Sequence, residues 1–204
     1  MKVGIVDYNS GNLRSVELAL AHLGVDYLVS QNPRMLADAD RLVFPGVGEA
    51  RAAMSVLAEL GLDDLIKNFA ASGKPLLGIC LGCQILMENS EERATKCLGI
   101  FPGEVRRFES KAGFKVPHMG WNQVFHKNRH PIFSGIPDGA SFYFVHSYYV
   151  QCGDEPLEIA ATDYVVPFTS GVAKENVVAF QFHPEKSGKH GLKLLENFFS
   201  ISEF

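Results

Sequence analysis

Apolar and polar positions fall into two regimes along the chain. In the first half, short apolar runs alternate with helical periodicity. Residues 3–6 (Val3-Gly4-Ile5-Val6) form an apolar run stopped by Asp7 and predict a strand. Leu13, Val16, Leu20 and Leu23 recur on one helical face, and Gly24 closes that helix. Residues 25–29 and 42–44 predict a second and a third strand. A helical stretch reaches about Ala71, broken near Gly61-Leu62-Asp63-Asp64, and a further apolar strand leads from Pro75 into Cys80. Alternation of this kind argues for a parallel sheet with helices on its faces.

The second half changes character. Pro, Gly, aromatic and β-branched residues become dense, and strands are expected over 105–108, 142–150, 158–162, 165–169 and 177–182. An amphipathic helix over 188–199, with Leu192, Leu195 and Phe199 recurring, closes the chain. No linker, repeat or low-complexity segment separates the halves. The expectation is one domain over 1–204: an α/β fold with a mixed, mostly parallel central sheet, flanking helices and an antiparallel extension.

Composition narrows the function. At 204 residues and 47% hydrophobic, the chain has material for an ample core. Its net charge of −4 carries no nucleic-acid footprint. No apolar run approaches the ~18 residues of a membrane span. The opening Met1-Lys2-Val3-Gly4 lacks the apolar region and cleavage site of a secretory signal. The four cysteines are therefore expected as reduced thiols in a cytoplasmic protein. There is no P-loop and no G-x-G-x-x-G, so no nucleotide cofactor is implied, and no other cofactor is expected. His126 and His130 have an i, i+4 spacing that metal ligands use, but their polar segment runs into Pro131 and reads as a solvated loop, so no metal site is expected.

The chemistry concentrates at Gly78-Ile79-Cys80-Leu81-Gly82-Cys83-Gln84. A buried strand stops at a cysteine, and a helical pattern follows at once. Glycines two residues to either side clear space for a sharp turn. This is the shape of a nucleophile elbow. A helix start favours the thiolate, the reactive form of cysteine, and the Leu81 N–H would face an oxyanion. The elbow lacks a base. The strand 177–182 ends in His183-Pro184-Glu185, where i and i+2 lie on one side of an extended segment. Cys80, His183 and Glu185 then supply nucleophile, base and orienter of a triad.

Gly78 to Gln84 together with Phe182-His183-Pro184-Glu185 resembles the class I, triad-type glutamine amidotransferase family. Pro45-Gly46-Val47-Gly48 matches that family's third motif, and the resemblance covers essentially the whole chain. It implies glutamine hydrolysis through a Cys80 thioester, with the second oxyanion donor at Val47 or Gly48 beside that of Leu81. It also implies Gly48, Gln84, His146, Ser147 and Tyr148 at the bound glutamine. Val6 to Leu13, Val116 to Asn122 and Tyr143 to Tyr148 are similar to those members that pass ammonia to a (β/α)₈-barrel cyclase subunit in histidine biosynthesis. That likeness implies a heterodimer, with Tyr8, Asn9, Asn12, Trp121, Asn122 and Tyr143 facing the partner. Glu88, Glu91 and Glu92 follow the elbow, and spacing does not choose which of them meets the substrate's amino group.

The elbow departs from the family pattern at position 83, where a cysteine creates C-x-x-C with Cys80. A dithiol redox protein is the reading this spacing opens. The same residues are also compatible with a peptide or ester hydrolase using the triad, with an idle binding module, and with a glutaminase serving a different synthase.

Overall fold

The computed structural model describes residues 1–9 and 11–201. Ser10, inside the partner-facing loop expected at 7–12, and residues 202–204 lie outside the described residues. The strands are β1 (Val3–Val6), β2 (Tyr27–Ser30), β3 (Arg41–Gly46), β4 (Leu76–Cys80), β5 (Asn89–Ser90), β6 (Thr95–Lys96), β7 (Gly103–Arg107), β8 (His118–His126), β9 (Ala140–His146), β10 (Tyr148–Cys152), β11 (Glu158–Asp163), β12 (Pro167–Lys174) and β13 (Val177–Phe180). The helices are α1 (Leu13–His22), α2 (Pro33–Ala37), α3 (Ala50–Leu60), α4 (Leu62–Ala71), α5 (Leu81–Ile85) and α6 (Gly188–Ser200).

The sheet runs β2-β1-β3-β4-β13-β12-β10-β7-β5-β6, with β11, β8 and β9 branching from β12. The first five strands are parallel neighbours. From β13 to β7 the pairing is antiparallel. The mixed, mostly parallel sheet with an antiparallel extension is therefore as expected. β1, β3 and β4 are buried along their whole length, the continuous apolar signature of strands covered on both faces. Alternate residues feed two cores. Ile5, Val43, Leu77, Ile79 and Phe180 pack on one side, and Val6, Phe44, Leu76 and Ala179 on the other.

Several elements differ from expectation. The helix after Cys80 is a single five-residue turn, because Leu86 and Met87 leave it to pack inward. The strand expected over 142–150 is two strands split at Ser147. β8 has no counterpart in the predicted elements, and it absorbs His126. That histidine is not on a solvated loop: it is half-buried and stacks on Phe133 at 4.1 Å. His130 accepts a hydrogen bond from the Ile132 N–H and caps the turn that follows.

The layout places one edge at the centre of interest. β1, β3, β4 and β13 run parallel, so the segments leaving their carboxyl ends meet there. These segments are the loop after Val6, the Gly46-Val47-Gly48 loop, the Cys80 elbow and the Gln181-to-Glu185 run.

Candidate active site

Cys80 closes β4 with φ 55° and ψ −109°, a conformation that non-glycine residues rarely adopt. The surrounding backbone enforces it. Gly46 on β3 sits opposite Cys80 in register. A Cβ on Gly82 would collide with the Phe44 carbonyl oxygen and lie 3.0 Å from its carbon. A Cβ on Gly78 would lie 2.7 Å from Leu86 Cδ1 and 3.0 Å from Ala179 Cβ. The two glycines are therefore needed for clearance, and the strain presents the cysteine at the rim of a cleft.

That cleft measures about 330 Å³. Cys80, Leu81, Gln84, Val47 and Gly48 form one wall; His146, Ser147 and Tyr148 form another. The structure thus brings together the expected nucleophile, the expected oxyanion segments and every residue expected at the substrate. Glu92 lines the cleft as well, whereas Glu88 and Glu91 do not. Their carboxylates accept from the Gly103 and Arg107 N–H groups, at 2.9 and 2.8 Å, and so are spent on the neighbouring strand. Glu92 accepts from the Ala50 N–H at 2.7 Å, at the start of α3.

His183 lies behind Cys80 and is fully buried. Its Nδ1 is 2.7 Å from Glu185 Oε1, and both side chains are sealed from solvent. Burial, the largest influence on the imidazole, favours its neutral form. The Cys80 sulfur and the Glu185 carboxylate outweigh it, and the pKa is raised to about 10. Cys80 thus acts on His183 by charge and by hydrogen bonding, although Nε2 has no partner at strict hydrogen-bond geometry. We take the pair as a loose contact, of the sort that tightens once substrate is bound. The Asn12 amide donates to the same Glu185 Oε1 at 2.6 Å and passes 3.4 Å from His183 Nδ1. Sequence reasoning missed this contact, which joins positions 173 residues apart.

A second buried network lies across the cleft. The Tyr148 carbonyl accepts from His146 Nδ1 at 2.7 Å and from Gln84 Nε2 at 2.8 Å. His146 Nε2 must then be an acceptor, and His118 Nδ1 donates to it at 2.9 Å. His118 Nε2 in turn accepts from the Asn122 amide at 3.3 Å. Burial lowers the His118 pKa to about 4. Burial, helped by His118 and His183 and opposed by the Tyr148 carbonyl, lowers that of His146 to about 3. Both rings are neutral at pH 7, stacked among Phe144, Tyr164 and Phe168.

The residues expected at a partner divide. Trp121 is 59% exposed and Asn9 is exposed. Tyr143 is half-buried beside Trp121. Tyr8 does not face outward: it is 3% exposed and packs on Phe44. The Asn12 and Asn122 side chains also turn inward, to Glu185 and to His118.

All four cysteines are free thiols. Cys80 and Cys83 belong to cores on different sides of the sheet. Burial, reinforced by Cys80 and Cys152, pushes the Cys83 thiol far up. A buried thiol of this kind is inert, which removes the main support for a dithiol redox reading. Among the described residues, no group of three or more His, Cys, Asp or Glu is placed to hold a metal ion, and no helix is long and apolar enough to cross a membrane.

Comparison with known proteins bears on this geometry. The family model described as "Glutamine amidotransferase class-I" matches residues 4–201. The chain is 46% identical over 201 residues to "Imidazole glycerol phosphate synthase subunit HisH" of Dehalococcoides mccartyi, covering 98% of this chain and 97% of that one. It is 50% identical over 200 residues to the protein of the same name from Nitrosococcus oceani, covering 96% and 95%. Among solved structures, "Crystal structure of glutamine amidotransferase" superposes with a TM-score of 0.75 at 20% identity, covering 97% of this chain and 96% of that one. At that identity the likeness is one of fold.

Proposed function

This chain belongs to the class-I glutamine amidotransferase family, and from that premise we propose how its residues divide the work of glutamine hydrolysis. The chain is the glutaminase subunit of an imidazole glycerol phosphate synthase, in histidine biosynthesis; relatives of that name at 46% and 50% identity support it over nearly their full length. The observation that carries the residue assignment is the strained Cys80 elbow at the cleft, with the His183–Glu185 pair sealed behind it.

Glutamine enters with its ammonium group toward Glu92 and its amide toward Cys80. The thiolate attacks the amide carbon. The N–H of Leu81 and one from Val47 or Gly48 meet the developing oxyanion, a contribution typically worth about 10²–10³ in rate per donor. The C–N bond breaks as His183 gives its proton to the departing ammonia. A water molecule then attacks the thioester, His183 takes its proton, and glutamate leaves with the thiolate restored. Glu185 holds the imidazole in the productive orientation throughout, and Asn12 holds Glu185.

The ammonia passes to a (β/α)₈-barrel cyclase subunit, which makes imidazole glycerol phosphate and AICAR, within a cytoplasmic heterodimer. Support for a docking face comes from β8. Its outward residues Met119, Trp121 and Phe125 are 63%, 59% and 41% exposed, an apolar stripe along one strand. Trp121 pairs in register with Tyr143, whose carbonyl accepts from the His183 N–H. A partner seated there lies two residues from the triad.

The test is ammonia transfer. Cyclase product should form from glutamine only when this chain is present, and from ammonium salts without it. Cys80→Ala should abolish the glutamine route alone. Product formation from glutamine by the Cys80→Ala complex would refute the assignment.

A further inference from the structure

Gln181 has no part in the steps above, yet it is fully buried beside the nucleophile. Its Oε1 lies 2.9 Å from Gln84 Nε2, and its Nε2 lies 3.9 Å from Cys80 Sγ, a long contact of the kind sulfur makes. Amide orientations are fixed by their networks, and this network starts from a group that cannot be reversed. The Tyr148 carbonyl only accepts, so the end of Gln84 facing it at 2.8 Å is the NH₂. That same NH₂ faces Gln181, whose near end is therefore its oxygen. The Gln181 NH₂ is left pointing at the sulfur. The other side of the Tyr148 carbonyl is held by His146, and His146 by His118 and Asn122.

We propose that Gln181 is a further catalytic residue of this site: its amide N–H donates to the Cys80 sulfur and stabilises the thiolate that attacks glutamine. Gln84 and the His146–His118–Asn122 chain are positioning residues that keep that amide from reversing. The inference rests on the reading of Cys80 as the nucleophile. A donor to a thiolate favours the charged form. It acts before attack and again when the thioester is cleaved, the two moments at which charge sits on sulfur.

The experiment is the pH profile of Cys80 alkylation by iodoacetamide, in the full chain carrying Cys83→Ala and read at the Cys80 peptide by mass spectrometry, so that the free thiols of Cys97 and Cys152 do not contribute. Gln181→Met keeps length and removes the donor; Gln181→Glu keeps shape and adds negative charge. The alkylation midpoint should rise by about one pH unit in the Met variant, the tenfold effect expected of a charge-assisted hydrogen bond, and further in the Glu variant. An unchanged midpoint in a folded Gln181→Met overturns the proposal. If the Gln181 variants do not fold, Gln84→Met decides: it frees the Gln181 amide to reverse, and an unmoved midpoint there also overturns it. A wild-type Cys80 that alkylates no faster than an ordinary thiol defeats the nucleophile reading itself, and glutamine need not turn over for that to be seen.

Discussion

Gly82→Ala tests whether the elbow's geometry, rather than its composition, makes the site. The added Cβ would lie 3.0 Å from the Phe44 carbonyl carbon, 3.5 Å from Phe44 Cδ1, and closer still to the carbonyl oxygen. No rotamer relieves a clash with backbone. Phe44 is in the middle of β3, paired in register with Gly78 on β4, so the strand is held on the side facing the elbow. Relief requires α5 to lift by roughly 1 Å, and such overpacking typically costs about 1–3 kcal/mol. For a chain of this length that corresponds to a fall in Tm of roughly 2–12 °C. The lift carries Cys80 and the Leu81 N–H with it, and a displacement of that size at reacting atoms costs on the order of 10² in rate. Gly24→Ala is the control. Its φ of +67° makes alanine strained, but nothing lies within 4 Å of the added Cβ, so it should lose about 1–2 kcal/mol with kcat/KM unchanged. Thermal unfolding and glutamate release measure both variants. A Gly82→Ala protein with wild-type kcat/KM would refute the argument that clearance at Phe44 sets the elbow.

Other outcomes follow from the same contacts. Glu185→Gln keeps an oxygen for His183 and Asn12 but removes the charge that holds the imidazolium. Its kcat should fall by on the order of 10⁴, as in other triads stripped of their acid, and a loss under about tenfold would contradict the role. Cys83→Ala should retain most glutaminase activity, since Cys83 packs away from the cleft; loss matching that of Cys80→Ala would revive the dithiol reading. The neutral histidine pair makes the fold acid-sensitive. Below about pH 6.5 the unfolded chain protonates both residues while the folded one resists until about 4 for His118 and about 3 for His146. Stability should therefore fall as pH drops through that window, by about 1.4 kcal/mol per pH unit per histidine. Urea unfolding at pH 7 and 5.5 should show a shallower loss in His118→Phe, and an identical slope would contradict this.

The parallel half of the fold was legible because its strands are buried on both faces and its turns carry glycine. Gly61 breaks the long helix where the pattern lapses, with φ 66°. β8 was not legible because its polarity is reversed. Met119, Trp121 and Phe125 face outward, whereas His118, Asn122 and His126 face inward. Within β8 only Val124 gives the inner face an apolar core residue and only Gln123 gives the outer face a polar one, so alternation misleads. The split at Ser147 has no Gly or Pro to announce it. Cys80 was legible because it stands between two glycines. The meeting of His183 and Glu185 was legible from their two-residue spacing, but for a different reason than an extended segment: β13 ends at Phe180, and Pro184–Lys186 is a 3-10 turn, capped by His183, that brings Glu185 back to the ring. Gln181 stands two residues before His183, and its place beside Cys80 follows the strand into the same site. Its orientation was not legible, since that depends on Gln84 and on a carbonyl from another strand. Tyr8 was misplaced because an aromatic in a polar loop reads as exposed, while the space above Gly46 and Phe44 takes it in.

The central claim is that glutamine is cleaved through a covalent bond to Cys80. Rapid acid quenching of the chain with glutamine and the cyclase partner, followed by peptide mass spectrometry, reads it directly. A γ-glutamyl thioester on Cys80, absent in Cys80→Ala and accumulating in a variant that attacks but hydrolyses slowly, is the predicted result. Steady glutamate release with no adduct on Cys80, or an adduct on another residue, would contradict it.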